Sequence, residues 1–258
     1  MASTAMKAII IGAGRGRRLM PLTEDDPKCF APIAGRRIVD WNLDSLRRGG
    51  IDEIVFIGGW QIDKIRRDYP GLTFVHNDRW ERNNILASLM YAREHMAGGF
   101  VCSYADILYR PSIVTRIIEH PADIVLAVDT DWRNRYQHRL AHPEDDAEKV
   151  RVAGDRVLEV NRRIAPDHAH GEYIGVAKFT AASAALLCEH YDRVTREFDG
   201  RPFREAASIE KAYLIHLFQH MIEAGVSISK VDTHGDYMEI DTNEDYELAN
   251  RSWSDSES

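Results

Sequence analysis

The chain has 258 residues, enough for one large α/β domain or two small ones. Apolar residues make up 44% and charged residues 29%, which excludes collagen-like, low-complexity and wholly disordered chains. The net charge of −8 argues against non-specific binding to nucleic acid. The composition therefore predicts a globular protein.

The cysteine content and the N-terminus indicate where the protein works. Its three cysteines form no CxxC pair, so we expect neither a disulfide framework nor a cysteine-based zinc site. The N-terminus has no apolar segment of signal-peptide length, and no apolar run is long enough to span a membrane. We expect a cytoplasmic protein that does not bind membranes. The oligomeric state stays open, with a homodimer as one alternative.

Short β-rich runs alternate with amphipathic helical runs in the first half of the chain. The strands are predicted over 7–11, 53–57, 72–76, 100–104 and 123–128, and the helices over 38–48, 60–67, 84–96 and 111–119. This alternation predicts a Rossmann-like, doubly wound, mostly parallel α/β sheet. In such folds the ligand crevice lies at the carboxyl ends of the strands.

The pattern changes after residue 128. Alternating strands over 149–153 and 156–160 flank Gly154-Asp155 and predict a β-hairpin. The polar segment 129–172, which contains this hairpin, is expected to form an insertion or lid. The later predicted elements are strands over 173–179, 226–231 and 237–240, and helices over 181–194, 208–224 and 243–251. We predict one domain over 1–251 and a flexible tail over 252–258.

The most informative segment follows the first strand and reads GAGRGRRLMPLTEDDPK over residues 12–28. Glycines after a buried strand let backbone N–H groups approach phosphate oxygens, and Arg and Lys add charge-assisted hydrogen bonds. Seven basic and three acidic residues lie between Lys7 and Arg37, although the whole chain is acidic. The segment therefore predicts a site for a small anionic ligand.

Two common phosphate-binding patterns do not fit this segment. The dinucleotide fingerprint has a glycine where Arg17 stands, and it has an acidic residue at the end of the second strand, where 57–60 reads IGGW. The P-loop needs GK followed by Ser or Thr, which is absent. A glycine turn with incidental arginines stays as the plainer alternative.

The segment resembles the AAGxGTRLxPLTxxxPK signature of the nucleotidyltransferase family, which binds a nucleoside triphosphate. The matching positions are Gly14, Gly16, Arg18, Leu19, Pro21, Leu22, Thr23, Pro27 and Lys28. The resemblance implies one nucleotidyltransferase domain, with 129–172 on the acceptor side. It implies that Arg18 and Lys28 neutralise the triphosphate and are catalytic. The residues implied to wrap the triphosphate are Gly12, Ala13, Gly14, Arg15, Gly16 and Arg17.

Two aspartates are candidate metal ligands. Asp106 follows the predicted strand 100–104, where the family places a metal-binding aspartate, and Asp241 lies in the late sequence MEIDTNEDY. Either aspartate could instead cap a helix or a turn. The resemblance implies that both hold Mg²⁺ together with phosphate oxygens.

The later motifs are similar to the branch of the family that contains the phosphocholine and phosphonate cytidylyltransferases. The WxDxGT-like sequence usual in sugar-1-phosphate nucleotidyltransferases is missing, and EIDT stands around Asp241. The segment NNILASL over 83–89 is similar to the part of that branch that contacts the nucleotide base. It makes Asn83, Asn84 and Ser88 candidate contacts to CTP.

The acceptor side has candidates of its own. The stretch AHGEYIGVAKF over 169–179 closely resembles enzymes of phosphonate pathways and makes Glu172 and Tyr173 candidate substrate contacts. Lys149 is a candidate catalytic residue for the phosphoryl group of the acceptor, and Arg162 is a weaker candidate for binding it. Both could instead be solvated hairpin charges.

Aromatic residues and histidines in 129–172 suggest two further possibilities. Trp132 and Tyr136, with Tyr173, could form a cage for a quaternary ammonium, although such aromatics more often pack in a core. No HExxH motif or cysteine partner accompanies the histidines, so surface or substrate-contacting roles are favoured over zinc. These histidines are His138, His142, His168 and His170.

The resemblance implies transfer of CMP from CTP to a small phosphonate, of the 2-hydroxyethyl- or 2-aminoethylphosphonate type, or to a phosphocholine-like phosphomonoester. Pyrophosphate leaves, and Mg²⁺ is the cofactor. The acceptor oxygen is already anionic at neutral pH, so no general base is required. The alternatives are a sugar-1-phosphate nucleotidyltransferase and a nucleotide-binding regulatory subunit that has lost catalysis.

Overall fold

The structure, a computed structural model, describes residues 6–137, 139–141 and 143–254. Within them a nine-stranded mixed sheet is accompanied by two small two-stranded sheets. The strands are β1 (Lys7–Gly12), β2 (Pro32–Ile33), β3 (Arg36–Arg37), β4 (Ile54–Gly58), β5 (Thr73–His76), β6 (Phe100–Tyr104), β7 (Ile107–Tyr109), β8 (Ile124–Asp129), β9 (Lys149–Ala153), β10 (Arg156–Val160), β11 (Gly171–Phe179), β12 (Ser229–Thr233) and β13 (Tyr237–Glu239).

Helices cover both faces of the large sheet. The helices are α1 (Ile38–Arg48), α2 (Ile62–Asp68), α3 (Ile85–Met90), α4 (Pro111–Glu119), α5 (Trp132–Tyr136), α6 (Ala181–Glu197), α7 (Leu214–Glu223) and α8 (Asn243–Ser252). One core cluster packs α3, α6 and α7 on the sheet, and a second packs α1 and α4 on its other face. Because both faces are covered, the central strands are nearly continuous apolar runs. None of the described helices is long and apolar enough to cross a membrane.

The strand order of the large sheet is β5-β4-β1-β6-β11-β8-β12-β10-β9. Strands β5, β4, β1 and β6 are parallel, whereas β11 runs antiparallel to both β6 and β8. The predicted doubly wound, mostly parallel α/β fold is confirmed. Because β1 lies between β4 and β6, the loops after β1 and β6 meet at one edge of the sheet.

The β9–β10 hairpin forms at the predicted residues but continues the main sheet. Arg156 of β10 pairs with Ser229 of β12, and Gly171 of β11 pairs with Val150 of β9. The hairpin is therefore an edge of the large sheet, and α5 lies in the segment that precedes it.

Two predicted helices are shorter than expected. The helix predicted over 84–96 ends at Met90 and is followed by a separate 3₁₀ turn. The helix predicted over 208–224 is interrupted, and α7 begins only at Leu214. The interruption of the second helix has a tertiary cause. The carbonyls of Glu210 and Ala212 accept hydrogen bonds from the N–H groups at the start of α3 instead of from the next turn of their own helix.

The flexible tail predicted over 252–258 starts too early. Ser252 is the last residue of α8, and Trp253 is buried with its ring 6.3 Å from that of Trp41. The guanidinium of Arg110 lies 4.1 Å from the Trp253 ring centroid. Burial of this large aromatic therefore holds the chain in place beyond α8. Residues 255–258 lie outside the described part of the chain.

Candidate active site

The glycine-rich loop (residues 12–18) leaves β1 and turns sharply at Gly16, whose φ is +69°. A Cβ on Gly16 would lie 2.8 Å from the side chain of Lys28, so glycine lets the loop pack against that lysine. A Cβ on Gly12 would lie 2.7 Å from the Ala105 Cβ. At Gly14, by contrast, no described atom lies within 4 Å of a built Cβ. The loop is therefore closely packed at two glycines and open at the third.

The first of two clefts, called the loop cleft, lies beside the glycine-rich loop and has about 630 Å³ of space, part of it open to solvent. Six predicted nucleotide contacts lie in its wall, together with Lys28 and Asp106. The six are Gly12, Ala13, Gly14, Asn83, Asn84 and Ser88. Because they come from two distant segments, the structure brings together the loop and the predicted base contacts.

A buried asparagine that the sequence analysis missed organises one wall of the loop cleft. The Asn77 Nδ2 donates to Asn83 Oδ1 at 2.9 Å and to Ser88 Oγ at 2.8 Å, and Asn83 Nδ2 donates back to Asn77 Oδ1 at 3.0 Å. Asn84 caps α3 by accepting the Ile85 N–H. The polar groups of this wall are therefore fixed before a ligand binds.

Not every residue of the predicted loop lies at the loop cleft. The guanidinium of Arg15 lies 4.5 Å from the ring centroid of Trp60, and Arg17 is exposed. Neither arginine, nor Gly16, lines either cleft in the described part of the chain. Their predicted contacts with the triphosphate stay predictions.

Lys28 connects the two candidate metal ligands. Its Nζ lies 2.6 Å from Asp106 Oδ2 and also contacts Asp241, and Asp241 contacts Arg18 as well. Burial alone would lower the pKa of Lys28, but the charges of Asp106 and Asp241 outweigh it and hold that pKa above its usual value. The lysine is therefore charged and held between the aspartates.

The two aspartates converge on one point, since a single ammonium contacts both. Hard carboxylate oxygens placed in this way suit a divalent cation such as Mg²⁺. Among the residues described, no group of three or more His, Cys, Asp or Glu side chains could hold a metal ion. Asp106 and Asp241 could therefore hold Mg²⁺ only together with oxygens from substrates or water, which fits Mg²⁺ bound with substrate phosphates.

The second cleft, called the acidic cleft, has about 700 Å³ of space, part of it open to solvent, and lies beside the first, because Lys28 in the wall of the loop cleft contacts Asp241 in the wall of the acidic cleft. Most of its charged lining side chains are carboxylates, and three tyrosines complete the wall. The carboxylates are Asp146, Glu148, Glu172, Glu239 and Asp241, the arginines are Arg18 and Arg162, and the tyrosines are Tyr173, Tyr213 and Tyr237. The predicted substrate contacts Arg162, Glu172 and Tyr173 are thus brought together.

Glu172 is held by two donors from α5. Its Oε2 accepts a hydrogen bond from Arg135 Nη2 at 2.7 Å, and its Oε1 accepts one from the Tyr136 hydroxyl at 2.7 Å. Arg135 also pairs with Asp129, which is fully buried at the end of β8. Sequence reasoning missed Asp129 and Arg135, because nothing in the spacing of these residues indicates that they contact each other and Glu172.

Glu148 forms the other supported carboxylate of the acidic cleft. Arg162 Nη2 lies 3.2 Å from Glu148 Oε1, and the Tyr104 hydroxyl lies 3.4 Å from Glu148 Oε2. Burial raises the pKa of Glu148, and the charge of Arg162 opposes that rise. The guanidinium of Arg162 also lies 4.0 Å from the ring centroid of Tyr213.

The structure does not bring Lys149 or Trp132 into either cleft. Lys149 is 1% exposed, its Nζ donates to the Glu144 carbonyl at 3.2 Å, and burial lowers its pKa. Trp132 is buried in a small cluster with Tyr136 and Ala147. These two predicted acceptor contacts therefore need correction, because both side chains are used in packing behind the site.

The proposed aromatic cage does not form as predicted. The rings of Trp132 and Tyr136 pack together at 5.9 Å, but Tyr173 packs instead against Tyr104 and Phe218.

The histidines of the segment 129–172 have different surroundings where the structure describes them. His168 is exposed, and His170 Nε2 lies 2.8 Å from Asp232 Oδ1. His138 and His142 lie outside the described residues.

Comparison with known families decides the class of the protein. Residues 8–186 match the MobA-like NTP transferase domain. The chain belongs to the MobA-like NTP transferase family. The resemblance of the glycine-rich loop to nucleotidyltransferases is thereby confirmed, and the protein is a nucleotidyltransferase.

Relatives agree with this result in sequence, and a solved structure agrees with it in fold. The chain is 29% identical over 255 residues to a CTP:phosphoglutamine cytidylyltransferase of Campylobacter jejuni, which covers 94% of this chain and 98% of that protein. It is 27% identical over 134 residues to a CMP-5'-(3-aminopropyl)phosphonate synthase of Streptomyces rubellomurinus, covering 50% of this chain and 21% of that protein. The CTP:phosphocholine cytidylyltransferase structure from Streptococcus pneumoniae shares the fold, with a TM-score of 0.72 and 21% identity over 96% of this chain and 99% of that one.

Proposed function

We propose that the protein is a cytidylyltransferase that transfers CMP from CTP to a small phosphonate or phosphomonoester and releases pyrophosphate. The observation that carries the proposal is the junction of the two clefts, where Arg18, Lys28 and Asp241 meet. A triphosphate in the loop cleft and an anionic acceptor in the acidic cleft would meet at this junction. The relative that matches nearly the whole chain is a CTP-dependent enzyme by name.

The loop cleft fits the nucleotide. Backbone N–H groups at the open Gly14 would approach the phosphates, and Lys28 and Arg18 would neutralise their charge. The amide and hydroxyl groups of Asn83 and Ser88, fixed by Asn77, are small hydrogen-bonding groups that suit the carbonyl and amino edge of cytosine.

Asp106 and Asp241 are proposed as the ligands of Mg²⁺, which would supply charge stabilisation to the phosphates when bound. The charged Lys28 lies beside both aspartates, and together with bound Mg²⁺ it would place cationic charge where pyrophosphate would leave. Positioning of two anions against each other is the main task of these side chains.

The transfer needs no general base from the protein. A phosphate or phosphonate oxygen of the acceptor attacks the α-phosphorus of CTP, and the bond from that phosphorus to the bridging oxygen breaks as pyrophosphate leaves. The attacking oxygen carries no proton in the dianion, so none has to be removed. Arg18, at the junction of the clefts, is placed to bind the phosphoryl end of the acceptor.

For the acceptor we propose 2-hydroxyethyl- or 2-aminoethylphosphonate ahead of phosphocholine. The stretch 169–179 that resembles enzymes of phosphonate pathways contains β11, and its Glu172 and Tyr173 line the acidic cleft. The relative from Streptomyces rubellomurinus is a phosphonate enzyme by name. The predicted cage for choline, in contrast, is not formed by Trp132.

A grid of nucleoside triphosphates against acceptors, read as pyrophosphate release in the presence of Mg²⁺, tests the proposal. We expect CTP to be preferred, either phosphonate to exceed phosphocholine, and phosphocholine to exceed glucose 1-phosphate. Efficient use of glucose 1-phosphate with UTP or dTTP, and of no phosphonate with CTP, would instead establish a sugar-1-phosphate enzyme. No pyrophosphate from any pair would indicate a catalytically inactive nucleotide-binding protein. An Asp106→Asn preparation serves as the control for contaminating activity.

A further inference from the structure

Among the described residues that line the loop cleft, Trp80 alone is aromatic. It is half-buried, and it precedes the proposed base contact Asn83 by three residues. The proposed site of the triphosphate is the open Gly14 of the glycine-rich loop, whereas Trp80 and Asn83 belong to the segment after β5. The base of a nucleotide in this cleft therefore belongs on the side of Trp80.

We propose that the ring of Trp80 packs against the base of the nucleotide, and that Arg15 positions Trp80 through Trp60 and does not bind the triphosphate. This inference rests on the proposed function and adds to it a base contact and a positioning residue. Aromatic side chains hold nucleotide bases by stacking, because every base has a flat π-face. Stacking discriminates little between bases, so the choice of cytosine is left to hydrogen bonds such as those of Asn83.

The backbone around Trp80 is held by a tight turn and by a close approach to a glycine. Asn77 Oδ1 accepts the Arg79 N–H at 3.1 Å, and the Arg79 carbonyl accepts the Asn83 N–H at 3.2 Å. A Cβ on Gly59 would lie 2.6 Å from the Trp80 Cβ, so the glycine lets Trp80 pack on the chain just after β4. The place of Trp80 in the cleft wall is therefore fixed before a nucleotide binds.

Trp60 and Arg15 extend the packing of Trp80. The ring centroids of Trp60 and Trp80 lie 5.7 Å apart, and the guanidinium of Arg15 lies 4.5 Å from the Trp60 ring centroid. The Trp60 N–H donates to the Ala13 carbonyl at 3.0 Å, which joins this aromatic pair to the glycine-rich loop. Arg15 Nη2 also donates to the Glu24 carbonyl at 3.4 Å. A chain of contacts thus runs from Arg15 through Trp60 to Trp80.

The position of Arg15 differs from that of the other cations of this segment. Lys28 lines the loop cleft and Arg18 lines the acidic cleft, and both contact Asp241 where the clefts adjoin. Arg15 is half-buried and lines neither cleft in the described part of the chain. The face of an indole ring attracts a cation, so movement of Arg15 to the phosphates would give up a favourable contact. Arg15 is therefore better placed to hold Trp60 than to neutralise phosphate.

Binding of CTP and of CMP to the whole protein with Mg²⁺, measured by isothermal titration calorimetry, tests the base contact without an acceptor. Trp80→Ala should raise the Kd of both nucleotides by about 5- to 150-fold, because both carry the base. Trp80→Phe keeps a flat ring and should lose less than about threefold. Trp80→Leu fills part of the space without a π-face and should lose about fivefold or more. Thermal melting of each variant separates a loss of fold from a loss of binding.

The two nucleotides also separate the possible roles of Arg15, because CMP lacks the β- and γ-phosphates. Arg15→Met should raise the Kd of CTP and of CMP by the same factor, about threefold or more. The double variant of Arg15→Met and Trp80→Ala should bind no more weakly than Trp80→Ala alone, since Arg15 acts through Trp80. Arg36→Met is the matched control, because the Arg36 guanidinium lies 4.2 Å from the Trp41 ring centroid and Arg36 lines neither cleft.

The outcomes are distinguishable. An unchanged Kd for CTP in folded Trp80→Ala would overturn the base contact. Unchanged binding in Arg15→Met, a loss for CTP alone, or additive losses in the double variant would overturn the positioning role of Arg15. Tighter binding of another nucleoside triphosphate, with the same dependence on Trp80 and Arg15, would overturn the proposed choice of CTP and leave this inference intact. Failure of the wild type to bind any nucleoside triphosphate with Mg²⁺ would overturn both.

Discussion

The Nζ of Lys28 lies 2.6 Å from Oδ2 of Asp106 and contacts Asp241 from the same position. The lysine therefore pairs with the two carboxylates that we propose for the divalent cation. The proposed cation would share these oxygens with the lysine, so metal affinity and nucleotide chemistry should depend on Lys28 in opposite directions.

Lys28→Met should bind Mn²⁺ more tightly than the wild type when no nucleotide is present, because the competing ammonium is removed. The same variant should lose about 2–4 kcal/mol of transition-state stabilisation, a fall in kcat/KM of roughly 30- to 1000-fold. Electron paramagnetic resonance of free Mn²⁺ measures the affinity, and pyrophosphate release measures the rate.

Lys64→Met is the control for Lys28→Met, since Lys64 pairs with Asp26 at the surface. It should change neither Mn²⁺ affinity nor rate. An unchanged affinity for Mn²⁺ in folded Lys28→Met would contradict the view that lysine and cation share one site.

Asp106→Asn and Asp241→Asn should each fold and lose most turnover, because a neutral amide is a poor substitute for a carboxylate on Mg²⁺. The affinity for Mn²⁺ in the presence of CTP should fall as well. EDTA should abolish the activity of the wild type, and added Mg²⁺ should restore it. The exposed Asp199 supplies the control, as Asp199→Asn. If either variant keeps a near wild-type kcat, the aspartate that it replaces is not a ligand of the proposed metal site.

Gly14→Ala separates a ligand-binding role of the glycine-rich loop from a structural one. A Cβ at Gly14 meets no described atom within 4 Å, so the melting temperature should stay within about 2 °C of wild type. If phosphates pack against the loop, the methyl group should obstruct them, and KM for CTP should rise about tenfold or more. Gly71→Ala is matched, since Gly71 is equally open. An unaltered KM would favour the plainer interpretation as a glycine turn.

The order of strands and helices could be predicted because the central strands are covered on both faces and read as apolar runs, as β1 does from Ala8 to Ile11. The glycine-rich loop was found for a related reason, since its glycines and cations stand together in the chain. Lys28 and the two aspartates that it contacts, Asp106 and Asp241, also lie within recognisable motifs. Local sequence patterns were therefore sufficient where the residues that share a function lie in one segment of the chain.

The acceptor side could be predicted only in part. Glu172 was identified from its own segment, but Arg135 and Asp129 bond to each other and to Glu172 from other elements, through contacts that spacing does not show. Lys149 and Trp132 looked like ligands because they are polar or aromatic in a polar segment. They are instead buried against each other, with Lys149 Nζ 5.9 Å from the Trp132 ring centroid. Tertiary packing sets the direction of these side chains, and the sequence pattern does not show that direction.

The stability of the fold should depend on pH through His216, which is 6% exposed on α7. Its Nδ1 accepts the Tyr213 N–H at 3.2 Å, and its Nε2 lies 3.5 Å from Glu205. Burial lowers the pKa of His216 to about 4, and the charges of Arg162 and Arg204 act in the same direction, against that of Glu205. The folded protein therefore keeps this imidazole neutral in weak acid.

The direction of the effect follows from the two pKa values. Histidine in the unfolded chain titrates near 6.5, so below about pH 6.5 the unfolded state binds the proton that folded His216 refuses. Stability from this group is fully present above about pH 6.5, falls as the pH drops toward about 4, and levels off below that. Burial also lowers the pKa values of His190 and His220, which adds to the same trend.

His216→Asn tests this dependence, because the asparagine amide oxygen can accept the Tyr213 N–H and does not titrate. Urea unfolding at about pH 7.5 and about pH 5 gives the free energy of unfolding at each pH. The loss of stability between these pH values should be about 2 kcal/mol smaller in the variant than in the wild type. His168→Asn is the control, since His168 is exposed and its replacement should leave the pH dependence unchanged. Equal losses in wild type and His216→Asn would show that the buried imidazole does not set the acid sensitivity of the fold.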